Sequence, residues 1–253
     1  MRTLAVIPAR LGATRLPRKP LRLLGGVPLV LRVWERVREI GVADDCVIAT
    51  DSAEVATVAA EYGADVILTR ADHPSGTDRV AEVAERSEFR RYACILNVQG
   101  DEPFISPEAL KGAARIVASG AFPLATAAVR AGREILGAPS IVKVVTADDG
   151  RALYFSRAPI PFLRDPDDVS LLSGRIHQHI GVYAYHRDAL ARWVALAPHP
   201  LEQIERLEQL RPLAAGIAMG VAFVDEPPRG GIDTEDDLAR ANSDWTALTL
   251  ERI

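Results

Sequence analysis

Short apolar runs that alternate with helical patterns leave the first half of this chain few folds to choose from. Thr3–Pro8 reads as a strand, and Leu29–Ile40 as a helix with Val30, Val33, Trp34 and Val37 on one face. Cys46–Thr50 is the next strand. Asp51, with Glu54 three residues on, is placed to cap a helix striped by Val55, Val58, Ala59 and Tyr62 and ended by Gly63. Asp65–Thr69 reads as a third strand, about 76–86 as a helix and Cys94–Val98 as a fourth strand; Ser106 and Pro107 open a helix that stops at Gly120. Strands and helices in this alternation predict an α/β fold, a mostly parallel sheet flanked by helices. Ligands in such sheets gather beyond the carboxyl ends of the strands, where strand order reverses. The loops after the first and fourth strands are therefore the places to look.

The second half has a different texture. Pro123–Arg130, Ile141–Ala147, Ile180–His186 and Val221–Val224 read as strands. Ser156–Arg175, rich in Pro, Asp and Arg, reads as a long irregular loop of the kind that usually serves a function. Pro200–Leu210 reads as a helix with Ile204 and Leu207 inward, and Thr234–Asn242 as a final one. A chain of 253 residues without repeats or a clean linker reads as one domain: a core of about 1–130 and 205–253, and a β-rich insertion of about 131–204.

Bulk properties exclude several classes. No apolar stretch approaches the ~20 residues of a membrane span. Cys46 and Cys94 both fall in apolar strands, which offers neither a disulfide framework nor a metal pattern. No charged leader with an apolar core opens the chain, so a cytoplasmic location is expected. The net charge of −4 hides a block from Met1 to Trp34 with seven basic residues and no acidic one. That block lacks interleaved aromatics, which disfavours nucleic acid.

Within the block, Arg10, Arg15 and Lys19 are spaced by five and four residues around Gly12, Pro17 and Pro20. Such a loop cannot form a regular helix and can turn several cations toward one point. Arg forks and a Lys point charge suit the oxygens of a triphosphate. After the fourth strand, NVQGDEP (Asn97–Pro103) puts two carboxylates at a strand end, a place for Mg²⁺; Asp101 is the better candidate, since Glu102 points the other way if the strand continues. In GGIDTEDDL (Gly230–Leu238), Asp233 reads first as a helix N-cap, a role Thr234 also suits, and with Asp101 it becomes a possible second metal ligand. RADHPSGTDR (Arg70–Arg79) sets Ser75, Gly76 and Thr77 at a helix start, where backbone N–H groups meet a polar ligand or Asp72 or Ser75 simply caps. His177 and His179 fall on one strand face with no further ligand for zinc.

These segments, with LYFSRAPIPF, HIGVYAY and PLEQIERLEQLR, occur in the order seen in the 3-deoxy-manno-octulosonate cytidylyltransferases, or CMP-Kdo synthetases, which the chain resembles over nearly its whole length. The resemblance implies a Rossmann-like nucleotidyltransferase fold with a β-rich dimerisation element in the second half, hence a homodimer. It implies transfer of CMP from CTP to 3-deoxy-D-manno-octulosonate (Kdo), with Mg²⁺, to activate Kdo for lipopolysaccharide synthesis. By motif, Arg10, Arg15 and Lys19 take the phosphates, Ala9, Arg70, Ser75 and Gln99 surround the cytidine, and Asp101 and Asp233 hold the metal. Arg157, Arg164, His179, Tyr183, Tyr185, Glu208 and Gln209 would meet the sugar acid. Arg18 stands where relatives often carry Gly, and Asp165–Arg175 departs from the family pattern. Other acceptors, such as 8-amino-Kdo or a sialic acid, and a non-catalytic nucleotide-binding relative are the alternatives; the latter should have lost Arg15, Lys19, Asp101 or Asp233, and all are present.

Overall fold

The computed structural model describes residues 1–12 and 15–250, the side chains of residues 246–250 excepted. The chain divides into two compact units, one of Arg2–Ile105 with Arg229–Ile253 and the other of Ser106–Pro228 with Met1.

The first unit is built on β1 (Thr3–Ala9). The small hairpin β2 (Leu23–Leu24) and β3 (Val27–Pro28) leads into α1 (Leu29–Ile40). Then come β4 (Asp45–Thr50), α2 (Ala53–Glu61), β5 (Asp65–Leu68), α3 (Gly76–Glu85) and β6 (Cys94–Asn97), and the unit is completed by the helix Glu235–Leu250. The strands lie in the order β6-β1-β4-β5, every neighbouring pair parallel. From β1 the chain steps outward to β4 and β5, then crosses back to the other side of β1. Strand order therefore reverses between β1 and β6, and the loops that leave these two strands part company above that point. Leu4, Ile7, Ile48, Leu96 and Val33 are wholly buried, so both sheet faces are apolar, as parallel strands under helices require.

Local caps differ in detail from the sequence expectation. Ser52, not Asp51, caps α2 by accepting from Val55 N–H at 3.3 Å. Asp51 instead accepts from the buried Arg79 at 3.0 Å. A tertiary ion pair has taken the side chain that spacing assigned to a local cap.

The second unit holds α4 (Pro107–Ala118), β7 (Leu124–Arg130), β8 (Lys143–Thr146), β9 (Ala152–Ser156), β10 (His177–His186), α5 (Arg187–Val194), α6 (Pro200–Glu205), α7 (Leu210–Ala214) and β11 (Met219–Val224). β7 pairs β11 in parallel and β10 antiparallel, and β8 and β9 form an antiparallel ribbon. Taken over both units this is a mixed α/β protein with a mostly parallel sheet flanked by helices. A Cβ on Gly112 of α4 would lie 2.7 Å from Ala222 Cβ, so only glycine lets this helix sit so close to β11.

Three expectations need correction here. β9 lies where no strand was read; the Asp149–Gly150 turn before it, with Gly150 at φ 83°, is the hairpin signal that would have found it. The helix expected over Pro200–Leu210 breaks at Arg206, which adopts φ 56°, so α6 and α7 are separate. The break leaves Leu207 buried at 6% but turns Ile204 out, 77% exposed. The long loop Ser156–Arg175 also contains a 3-10 helix, Pro166–Leu172.

Candidate functional site

The basic segment that follows β1 is held from below. Leu16 is wholly buried and joins Leu24, Leu29, Ile232, Leu238 and Ala241 in one apolar cluster, flanked by Phe104 and Trp245. Pro20 is buried within the 3-10 turn Lys19–Leu21, and Arg18 just before it takes φ 57°. Arg10 is exposed at the end of β1, beyond the buried Ala9. Ala13 and Thr14 of the motif lie outside the described residues. With Leu16 and Pro20 as anchors, Arg15 and Lys19 are carried on a fixed backbone and turned to the same place.

That place is a pair of carboxylates. Lys19 Nζ donates to Asp101, and to Asp233 Oδ1 at 2.8 Å; Arg15 Nη2 lies 3.0 Å from Asp233 Oδ2. Burial alone would lower the Lys19 ammonium, but the charge of Asp101 and bonds to both carboxylates outweigh it and hold its pKa above the ordinary lysine value. Lys19 is thus a cation throughout the neutral range. The Arg15 pair is exposed and contributes little to stability. Its interest is that the guanidinium is already aimed at the cluster.

Asp101 is set by backbone. β6 ends at Asn97, and Glu102 N–H donates to Gln99 O at 3.2 Å in a turn. Gly100 is pressed against β1: a Cβ there would lie 2.8 Å from Pro8 O. On the other side, Ile232 N–H donates to Asp101 O at 2.9 Å, which ties the Gly230–Asp233 segment to the same loop. Because the strand stops early, alternation does not turn Glu102 away. Burial pushes the Glu102 carboxyl up to about 7, Asp101 adds to the rise, Lys19 opposes it and Asp233 adds again. The expectation that Glu102 points elsewhere assumed a continuing strand, and the strand ends at Asn97.

Asp233 is likewise released from the capping role that ranked first for it. Thr234 Oγ1 accepts from Asp237 N–H at 3.1 Å, while the Asp237 carboxylate accepts from Thr234 N–H at 2.9 Å and from Asp233 N–H at 3.1 Å. Thr234 makes that cap with Asp237, and the Asp233 side chain is left for the cations. Among the described residues no set of three or more His, Cys, Asp or Glu side chains is gathered as a metal cage. The donors on hand are the two carboxylates, which is the set Mg²⁺ takes when phosphate oxygens complete its shell.

The remaining nucleotide-side candidates belong to the same unit. Gln99 follows β6, and Arg70 opens the segment after β5 with its side chain 69% exposed. Ser75 is the N-cap of α3: its Oγ accepts from Asp78 N–H at 3.3 Å and donates to the Asp78 carboxylate at 2.6 Å. The simple-cap reading of Ser75 therefore holds for its side chain.

The sugar-side candidates all lie in the other unit. His179, Tyr183 and Tyr185 line one side of β10: His179 meets Tyr183 at 5.6 Å between ring centroids, and Tyr183 stacks on Tyr185 at 6.2 Å. His179 Nε2 is 2.8 Å from Thr126 Oγ1, and burial pushes its pKa down to about 3, so the ring is neutral at physiological pH. Phe155 of β9 packs edge-on against His179 at 5.0 Å. Two residues later, Arg157 is fixed by α6: its N–H donates to Glu205 Oε2 and its Nε to Glu205 O, both at 2.9 Å, while Nη1 donates to Pro139 O at 3.0 Å. Gln209 is 3% exposed and its Nε2 has no acceptor among the described residues, a buried donor available to a ligand. Glu208 precedes it, half-buried, and Arg164 is exposed in the loop after β9.

Sequence reading missed Lys143. This wholly buried side chain donates from Nζ to the carbonyls of Ala138 at 3.0 Å, Ile141 at 2.7 Å and Arg157 at 2.5 Å. Strand alternation gives no hint that a lysine would close a cage of three carbonyls. Lys143→Met should take one donor from each of the three carbonyls, leaving Ala138 O with the N–H of Ile141 at 3.1 Å, and cost about 3 kcal/mol. Urea unfolding would register this as a lower midpoint at unchanged slope, and an unaltered midpoint would refute it.

A cation-lined pair of carboxylates lies at the switch point of the parallel sheet of an α/β protein, and similarity to known proteins specifies its class. The family model described as cytidylyltransferase matches residues 4–219, so the chain belongs to the cytidylyltransferase family. Within it the chain falls with the 3-deoxy-manno-octulosonate cytidylyltransferases. It is 63% identical to the protein of that name from Gemmatimonas aurantiaca over 98% of this chain and 96% of the relative. It is 46% identical to the one from Polynucleobacter asymbioticus over 94% of this chain and 93% of the relative. A solved structure of CMP:2-keto-3-deoxy-manno-octonic acid synthetase complexed with CTP superposes with a TM-score of 0.89 at 35% identity, covering 100% of both chains. A 4-diphosphocytidyl-2C-methyl-D-erythritol synthase from Anaerococcus prevotii, at 13% identity and TM-score 0.62 over 97% of this chain and 98% of its own, shares the fold alone.

Proposed function

We propose that this enzyme transfers CMP from CTP to the anomeric hydroxyl of Kdo, giving CMP-Kdo and pyrophosphate. The observation that carries the site assignment is the junction of Lys19 with Asp101 and Asp233, with Arg15 on the same carboxylate, at the carboxyl ends of β1 and β6. The anomeric oxygen forms a bond to the α-phosphorus while the bond from that phosphorus to the β-phosphate oxygen breaks. The hydroxyl proton leaves to solvent. This reaction needs positioning and charge neutralisation rather than a covalent enzyme intermediate.

Each residue then has a task. Arg10, Arg15 and Lys19 bind the triphosphate and balance the charge that builds on the leaving pyrophosphate. Ala9, Arg70, Ser75 and Gln99 surround the cytidine; for Ser75 the free groups are the backbone N–H groups at the start of α3, since its hydroxyl is engaged. Asp101 and Asp233 would hold Mg²⁺. Bound there, the ion supplies positive charge to phosphate oxygens and polarises the attacking hydroxyl. Arg157, Arg164, His179, Tyr183, Tyr185, Glu208 and Gln209 take the sugar acid, with the guanidinium groups answering its carboxylate and the neutral His179 reading a hydroxyl. We place the enzyme in the cytoplasm as a homodimer; among the described residues no helix is long and apolar enough to cross a membrane.

Pyrophosphate release with each of the four nucleoside triphosphates against Kdo, 8-amino-Kdo and a sialic acid tests this reading. CTP with Kdo should give the highest kcat/KM. A higher value for another sugar acid would reassign the acceptor.

A further inference from the structure

Glu82, one helical turn beyond the buried Arg79, is assigned no part in the reaction above, yet it gathers the loop that faces the base. Its carboxylate accepts from Arg70 N–H at 3.0 Å, meets His73 Nε2 at 2.5 Å and accepts from Arg86 Nη2 at 3.0 Å. Burial would raise its pKa, but the Arg70 N–H, the His73 ring and the Arg86 guanidinium bring it down to about 2. It is therefore ionised at every working pH.

The geometry explains why one carboxylate matters so much. Arg79 and Glu82 lie three residues apart on one face of α3, and Ser75 and Arg86 cap its two ends at spacings of four from them. The loop from Thr69 to Ser75 folds back over that face and is fixed at three levels. At its entry, Arg79 is 3% exposed and donates to Thr69 Oγ1, as well as to Asp51 at the end of β4. At its exit, Ser75 caps the helix. Between these ends, Glu82 holds both the main chain at Arg70 and the His73 side chain, itself only 3% exposed. The Arg70 guanidinium stays 69% exposed, with its Nε 3.8 Å from Glu82 and 3.6 Å from Asp72. The loop backbone is thus rigid while the head group it presents is free to meet a ligand.

We propose that Glu82 is a positioning residue that sets the nucleotide-base specificity of the enzyme by fixing the Arg70–Ser75 loop. The inference rests on the assignment of Arg70 and Ser75 to the cytidine. Base choice depends on polar groups placed to within a fraction of an ångström, so a slackened loop should lose discrimination before it loses chemistry.

Steady-state kinetics of Glu82→Gln test this, with CTP and UTP as alternative nucleotides. Gln keeps the size and one acceptor but removes the charge. KM for CTP should rise by about ten- to a hundredfold, with kcat within threefold and KM for Kdo unchanged. The preference for CTP over UTP should shrink by about tenfold or more, and Glu82→Asp should restore part of it. If Glu82→Gln does not fold, His73→Asn removes the same tie from the other side and should shift KM for CTP in the same direction. Unchanged KM and base preference in a folded variant would overturn the proposal. So would equal losses toward both substrates, which mark a merely structural role. Should the wild type itself fail to prefer CTP, it is the cytidine assignment that falls, and the inference with it.

Discussion

Asp101→Asn is expected to lower kcat by about a hundred- to a thousandfold while the protein stays folded. Asn keeps the shape of the side chain, and the backbone bond from Ile232 N–H to Asp101 O is independent of it. What disappears is one of two negative charges that converge on Lys19 and, in the proposed reaction, one of two donors to Mg²⁺. Melting followed by circular dichroism should move by only a few degrees, because Asp101 is partly solvated, with 27% of its side chain exposed. A stoichiometric pyrophosphate-release assay at saturating CTP and Kdo measures the loss. Turnover within tenfold of the wild type would remove Asp101 from the reaction.

Leu16→Ala is expected to act through a different route. Leu16 sits between Arg15 and Lys19 in sequence, but its side chain lies in the apolar cluster beneath the loop. Deleting a wholly buried leucine side chain costs about 2–5 kcal/mol, and the cavity left here is under the phosphate loop itself. The loop should then lose its fixed backbone, so KM for CTP should rise by about tenfold in protein that remains folded, as a displacement of about 1 Å allows. Thermal melting and CTP titration separate the two effects. A stable variant with unaltered KM would show that Lys19 and Arg15 are placed by their ion pairs alone.

Legibility of the site from sequence followed how local each cause is. The spacing of Arg10, Arg15 and Lys19 is visible in the chain because restrained turns and charges are local facts. The fates of Asp51 and Glu102 were not visible. Asp51 left its capping position for Arg79, and β6 ended at Asn97, before strand alternation could orient Glu102. In both cases a partner 28 residues away, or a turn imposed by packing against β1, outweighed a local preference worth about 1 kcal/mol. Lys143 and Glu82 were silent for the same reason, since a buried charge shows its purpose only through partners that the fold assembles.

By itself the sequence determined the alternation of β1, α1, β4, α2, β5, α3 and β6, because apolar periodicity is written residue by residue and a parallel sheet is the arrangement that buries it. It also determined that the basic loop would leave the first strand. Only the tertiary structure decided what that loop meets. Asp233 lies 214 residues from Lys19 along the chain, and the 2.8 Å bond between them exists because Leu16, Ile232 and Leu238 share one apolar cluster. Burial of apolar surface is non-directional and chooses neighbours without regard to sequence distance, so the charges that ride on those segments are brought together by packing rather than by pattern.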